Sequence, residues 1–182
     1  MDREIIIEQV NANKAVELSD LAKKIYQQYY LYLWHEGGAE WYMNEYAYPV
    51  DKLFNELLNP NNLHFIAYHH QTAVGYMKIS LNPATTNTND AELERIYIDE
   101  TYAGKGLGKR FIHLAIAESI KYQKQNIFLK AMDSAIDAIT FYKKMGFEYA
   151  ASFQLPMPVF HLMKEEFRGM IVLNKPLLQN NS

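Results

Sequence analysis

Between a run of strand-forming residues, Leu93-Glu94-Arg95-Ile96-Tyr97-Ile98, and a helical stretch from Leu107 to Gln123, the chain places the glycine-rich turn Gly104-Lys105-Gly106-Leu107-Gly108. A strand that turns through glycines into a helix aims backbone N–H groups, with little side-chain bulk around them, at the positive helix N-terminus where phosphate binds. A Walker-type loop would need Gly at Ala103 and Ser or Thr at Arg110. A dinucleotide fingerprint would open a βαβ unit with G-x-G-x-x-G spacing, whereas this turn reads G-x-G-x-G and lies deep in the chain. Two readings of the turn stand: an anion site, or a tight turn that needs glycine for its backbone alone.

Around this turn the hydropathy pattern alternates between strand and helix periods. Ile5-Ile6-Ile7 reads as a short strand, Ala15 to Tyr32 as a helix stopped by Gly37-Gly38, and Ala39 to Leu58 as a less regular helical stretch interrupted at Pro49. Strands follow at Leu63 to His69 and Ala73 to Leu81, then the turn-forming segment Pro83 to Asp90, then the strand Leu93 to Ile98. Beyond the long helix, Ile127 to Ala131 reads as a buried strand, Ser134 as the cap of a helix running to Met145, and Gly146 as its terminator. Phe147 to Gln154 and Phe167 to Asn174 are the last strands, joined by the irregular Leu155 to Glu166. The expected fold is α/β, one domain over residues 1 to 182, with a mixed central sheet of about six to seven strands flanked by about four helices.

Charge and composition narrow the partners. With 18 Lys and Arg against 21 Asp and Glu the net charge is -3, so no global basic field recommends nucleic acid or an anionic membrane surface. No apolar run approaches the roughly 18 residues of a membrane span, and Met1 to Val10 has no leader profile; the expectation is a cytoplasmic protein. There is no cysteine, hence no disulfide, thiolate ligand or cysteine nucleophile. The 6 histidines include one adjacent pair, His69-His70, whose rings would point to opposite faces of a strand, so no metal site is expected.

Three segments taken together, Leu93 to Ile98, Tyr102 to Gly108, and Ala138-Ile139-Thr140-Phe141-Tyr142-Lys143-Lys144-Met145-Gly146-Phe147, resemble the GNAT superfamily of acyl-CoA-dependent N-acetyltransferases. The element order resembles that fold over nearly the whole chain. Locally the sequence is similar to bacterial spermidine/spermine acetyltransferases of the PaiA kind. The resemblance implies acetyl-CoA as cofactor, held in a splayed strand pair, and direct transfer of its acetyl group to a primary amine. The implied partner is a small-molecule amine such as a polyamine; homodimers are common in the family.

The resemblance also assigns residues. Backbone groups of Ile96, Tyr97 and Ile98 would face the thioester and the pantetheine arm, and the turn Ala103, Gly104, Lys105, Gly106, Leu107, Gly108 and Lys109 the pyrophosphate. Ala103 stands where the family carries Gln or Arg, and Ala135 where it often carries Asn, so two side-chain contacts are missing or supplied elsewhere. Lys144, with Lys143, would reach the cofactor's phosphates. Only about one alkylammonium in a thousand is a free nucleophile at neutral pH, because its pKa lies near 10.4, so a base is needed. Strand periodicity puts Glu92, Glu94, Ile96 and Ile98 on one face, and Glu94 matches the family's base, with Glu92 as second choice. Tyr142 matches the general acid that protonates the leaving thiolate.

The acceptor pocket of the family is built from the first helices and the late connection. Here the helices hold Tyr26, Tyr29, Tyr30, Tyr32, Trp34, Trp41, Tyr42, Tyr46 and Tyr48 beside Glu36, Glu40 and Glu45. Aromatic faces and carboxylates suit a cation; the same aromatics suit the apolar faces of packed helices. Trp34, Tyr30 and Glu92 are the acceptor candidates, with Phe153, Met157 and Phe160 as an opposite wall. Two other functions stand beside a small amine: acetylation of a peptide or protein amine, and a non-catalytic acyl-CoA-binding module.

Overall fold

The computed structural model describes residues 5–84 and 89–177, so most of the turn-forming segment after Pro83 lies outside the described residues. β1 (Ile5–Val10), β2 (Asn62–His69), β3 (Thr72–Ser80) and β4 (Asp90–Ile98) pair antiparallel in sequence order. β5 (Asn126–Met132) then lies parallel to β4, and β7 (Gly169–Pro176) and β6 (Glu148–Gln154) complete the order β1-β2-β3-β4-β5-β7-β6. The sheet has the seven strands and mixed pairing that the sequence predicts.

Both faces of the sheet are covered, which is why β2 and β3 are buried almost throughout rather than on alternate residues. On one face Leu63, Phe65, Val74, Met77 and Ile79 pack beneath α4 (Leu107–Lys121) through Leu107, Phe111, Ile112 and Ala115, and α5 (Ile136–Lys144) lies alongside through Phe141 and Tyr142. On the other face Ile66, Tyr68 and Tyr76 meet α1 (Ala15–Tyr29), the short α2 (Gly38–Trp41) and α3 (Val50–Leu58). Phe111 is completely buried at the centre of the first layer. Phe111→Ala is therefore expected to cost about 3–5 kcal/mol of stability, read as a lower denaturation midpoint with an unchanged slope. No helix among the described residues is long and apolar enough to cross a membrane.

The structure moves several predicted boundaries. The first helix ends at Tyr29 instead of Tyr32, because Leu31–Leu33 tightens into a 3-10 turn. The irregular second stretch is three pieces: α2, a π-wound turn Tyr42–Ala47, and α3 after Pro49. Ser134 does not cap α5. The Asp133 N–H donates to the Gly169 carbonyl, holding the chain on β7, and the helix starts only at Ile136 with Ala135 at its cap position and no side-chain cap bond. The last strand likewise starts at Gly169, since Glu165–Phe167 forms a 3-10 turn.

Candidate active site

The parallel strands β4 and β5 pair over three positions only, Asp90 with Asn126, Ala91 with Ile127 and Glu92 with Phe128. Beyond Glu92, β4 stays on β3 and β5 stays on β7, so the two part. The wedge between them is a cavity of about 230 Å³. Its walls are β4 from Leu93 to Tyr97, β5 from Leu129 to Met132, Ala135, Ala138 and Tyr142 at and along α5, and Tyr26, Tyr30, Trp34 and Tyr42 from the helices of the other face. A split in the sheet is what lets groups from both layers reach one space.

β4 does not keep a period of two through this region. Lys78 opposes Arg95 and Ile79 opposes Leu93, so Glu94 is the extra residue of a β-bulge. The bulge switches faces: Ala91 and Leu93 before it, and Ile96 and Ile98 after it, all pack on the α4 side, whereas Tyr97 joins the α1 layer. The expectation that Glu92, Glu94, Ile96 and Ile98 share a face is corrected on this ground, since one inserted residue inverts the alternation that follows it. Glu94 stands exposed on the cavity wall, where Lys78 Nζ lies 2.9 Å from one carboxylate oxygen and 2.8 Å from the other. Glu92 is buried, paired at 2.9 Å with Lys130 Nζ, and is not part of the wall.

Tyr142 faces the cavity from α5 and Tyr30 from the end of α1. Burial pushes the Tyr142 phenol well above the ordinary tyrosine range, and the nearby Tyr30 adds to the rise, so Tyr142 keeps its proton at neutral pH. Tyr30 is itself pushed up to about 12, chiefly by burial. Its ring meets Tyr97 edge-on at 5.7 Å, and Tyr97 stacks on Tyr76 at 5.3 Å. The Trp34 indole N–H donates to the Tyr26 hydroxyl at 2.8 Å, fixing both on the wall. Tyr26, Tyr30 and Trp34 belong to the packed layer and line the cavity at once. Glu36, Glu40 and Glu45 are exposed and stand outside the wall, as do Phe153 and Met157, while Phe160 lines it.

The end of β4 leads into the glycine turn. Asp99, buried, receives Lys24 at 2.7 Å and the Thr101 N–H at 3.0 Å, and these contacts hold its carboxyl well below the usual carboxylate range despite the burial. Gly104 and Gly106 follow with φ of +72° and +84°, a region that side chains adopt only under strain. A Cβ on either would point into open space, so the backbone conformation requires glycine and the space above the turn is free for a ligand. The first N–H groups of α4 have no partner within the helix and open onto this turn. Ala103, Lys105 and Lys109 are exposed around it, Leu107 is buried, and a Cβ on Gly108 would come within contact distance of Phe141 and Ile98. Lys144, exposed at the far end of α5, is not on the cavity wall.

Lys78 and Arg95 are the site residues that sequence reasoning passed over. Their signal was a lysine in the strand run Val74-Gly75-Tyr76-Met77-Lys78-Ile79, a setting in which a cation stays buried only when paired.

Known proteins carry the same architecture. The spermine/spermidine N(1)-acetyltransferase of Bacillus subtilis is 33% identical over 86 residues, which is 45% of this chain and 57% of that protein; the matched stretch is thus little more than half the relative's length. The crystal structure of the PaiA N-acetyltransferase of Thermoplasma acidophilum, in complex with coenzyme A, superposes with a TM-score of 0.76 at 21% identity, covering 95% of this chain and 99% of that one. The ribosomal-protein-alanine N-acetyltransferase of Brucella melitensis gives 0.70 at 15% identity, over 94% and 99%. The two structures share the fold, and only the second one's name states an acceptor, a ribosomal-protein alanine. Residues 23–147 match the family model described as acetyltransferase (GNAT), and with more than half of the sequence matched, the chain belongs to the GNAT acetyltransferase family.

Proposed function

We propose that the protein transfers an acetyl group from acetyl-CoA directly to the primary amine of a small cationic molecule, polyamines being the first class to test. One observation carries this reading: the parting of β4 and β5 sets a carboxylate, Glu94, and a protonated phenol, Tyr142, on the walls of one cavity, and β4 leads on from that wall to the glycine turn. The open space above Gly104 and Gly106 fits the phosphates of acetyl-CoA, which supplies an activated thioester when bound. Backbone N–H groups of Leu107, Gly108 and Lys109 would hold those phosphates, with the charges of Lys105 and Lys109 beside them. The β4 edge from Ile96 to Ile98 has no strand partner toward β5 and would orient the acyl arm, and the methyls of Ala135 and Ala138 leave that side of the wedge unobstructed.

Glu94 accepts the amine proton on a carboxylate oxygen, directly or through water, and Tyr142 keeps a proton on Oη for the departing sulfur. The aromatic walls and the spermine/spermidine relative support a cationic acceptor. Glu94 is the one carboxylate on the described cavity wall, and the cations on that wall, Arg95 and Lys130, are paired with Glu56 and Glu92.

Calorimetric titration with acetyl-CoA, followed by free-thiol release with polyamines, amino acids and N-terminal peptides, tests the reading. Binding with amine-dependent thiol release from a small cation is the expected result. Release only with peptides would transfer the function to a protein acceptor, binding without release would leave an acyl-CoA-binding module, and no binding would overturn the assignment of the turn.

A further inference from the structure

Behind Glu94 lies a charge cluster that the proposed chemistry does not use. Lys78 is only 5% exposed, in the last third of β3. Its Nζ donates to Glu94 Oε1 at 2.9 Å and lies 2.8 Å from Glu94 Oε2 and 3.1 Å from Glu56 Oε2 on α3. Arg95, next to the bulge, donates through Nη1 at 2.8 Å and Nη2 at 3.3 Å to the two Glu56 oxygens and lies 5.6 Å over the Tyr48 ring. Two cations and two carboxylates from α3, β3 and β4 balance one another. A lone ammonium at this depth is costly, and an apolar side chain of the same length would serve packing better, so the cluster needs a reason beyond stability.

The bulge supplies one. Glu94 is the residue without a ladder partner, and a long side chain on such a residue is free to swing toward solvent. Lys78 is not, because the strand pairing and Glu56 hold it. We propose that Lys78 is a positioning residue that pins the Glu94 carboxylate to the cavity wall, with Glu56 bracing Lys78 from behind. This inference rests on the reading of Glu94 as the proton acceptor.

The test compares variants of the full chain, with spermidine and phenethylamine as probe amines. Lys78→Met is expected to lower kcat about 100-fold, the scale of an ångström's misplacement, while calorimetric affinity for acetyl-CoA stays unchanged. Lys78→Arg should restore most of the rate. In a Glu94→Gln background, Lys78→Met should cause no further loss, because a residue acting only through Glu94 has nothing left to position. An unchanged kcat in Lys78→Met, or losses that multiply in the double variant, overturns the inference and leaves Glu94 in place as acceptor. Unaltered turnover in Glu94→Gln alone removes the reading beneath it. Should Lys78→Met fail to fold, Glu56→Gln retains the cation and removes its brace; a fall in kcat that vanishes in the Glu94→Gln background is then the expected result, and additive losses overturn the inference.

Discussion

Glu94→Gln is expected to lower turnover about 100- to 1,000-fold, within the range that positioned acid–base groups contribute, while acetyl-CoA binds as before. The amide keeps the shape of the side chain and the bulge that presents it, and removes only the negative charge and the proton-accepting oxygen. The amine then remains protonated, and an ammonium has no lone pair with which to attack. Because Glu94 lies on β4 upstream of the glycine turn, the loss should fall on kcat and on the acceptor's KM rather than on cofactor affinity. Tyr142→Phe makes the complementary test from the opposite wall, removing the proton that burial keeps on the phenol. Steady-state thiol release beside calorimetry of acetyl-CoA separates the two quantities, and full turnover in a folded Glu94→Gln protein would remove Glu94 as the base.

Gly106→Val is expected to weaken acetyl-CoA binding by at least about 100-fold, or about 2.8 kcal/mol at the usual 1.4 kcal/mol per tenfold. Two effects act together. At φ +84° a β-branched residue is a steric outlier, so the turn must rearrange and carry the first N–H groups of α4 with it. If it does not rearrange, the new side chain occupies the open space through which a phosphate would approach. Gly106→Ala separates the two, since its methyl is strained by the same φ but blocks less, and should lie between parent and valine variant. The fold itself should survive, because Gly106 is exposed and has no neighbour for a Cβ to strike; a thermal melt close to the parent's checks this. Parental affinity in a folded Gly106→Val protein would show that the turn is only a turn.

Strand and helix identities were readable from the chain because they depend on local periodicity, and their ends were less so because tertiary contacts set them. The start of α5 shows why: serine in the right place suggests a cap, but the Asp133 bond to Gly169, far away in sequence, keeps Ser134 out of that position. The aromatic residues of the first helices show a different limit. Their spacing fits core and pocket equally, and Tyr26, Tyr30 and Trp34 are both, because the layer they pack in is also the wall that the parted strands expose. The acidic residues nearby, Glu36, Glu40 and Glu45, are exposed and do not line the cavity.

By itself the sequence determined the order of elements, the glycine turn between β4 and α4, and the placement of Tyr142 on the helix after β5, since backbone conformation and hydropathy period act over a few neighbouring residues. Only the tertiary structure decided which carboxylate reaches the cavity. Glu92 and Glu94 are two residues apart and equivalent by periodicity, yet the register of β3 against β4 makes Glu94 the bulged residue and lays it over Lys78, while Glu92 is buried against Lys130. Register is a property of two strands together, and a one-residue slip between them changes the face of everything downstream.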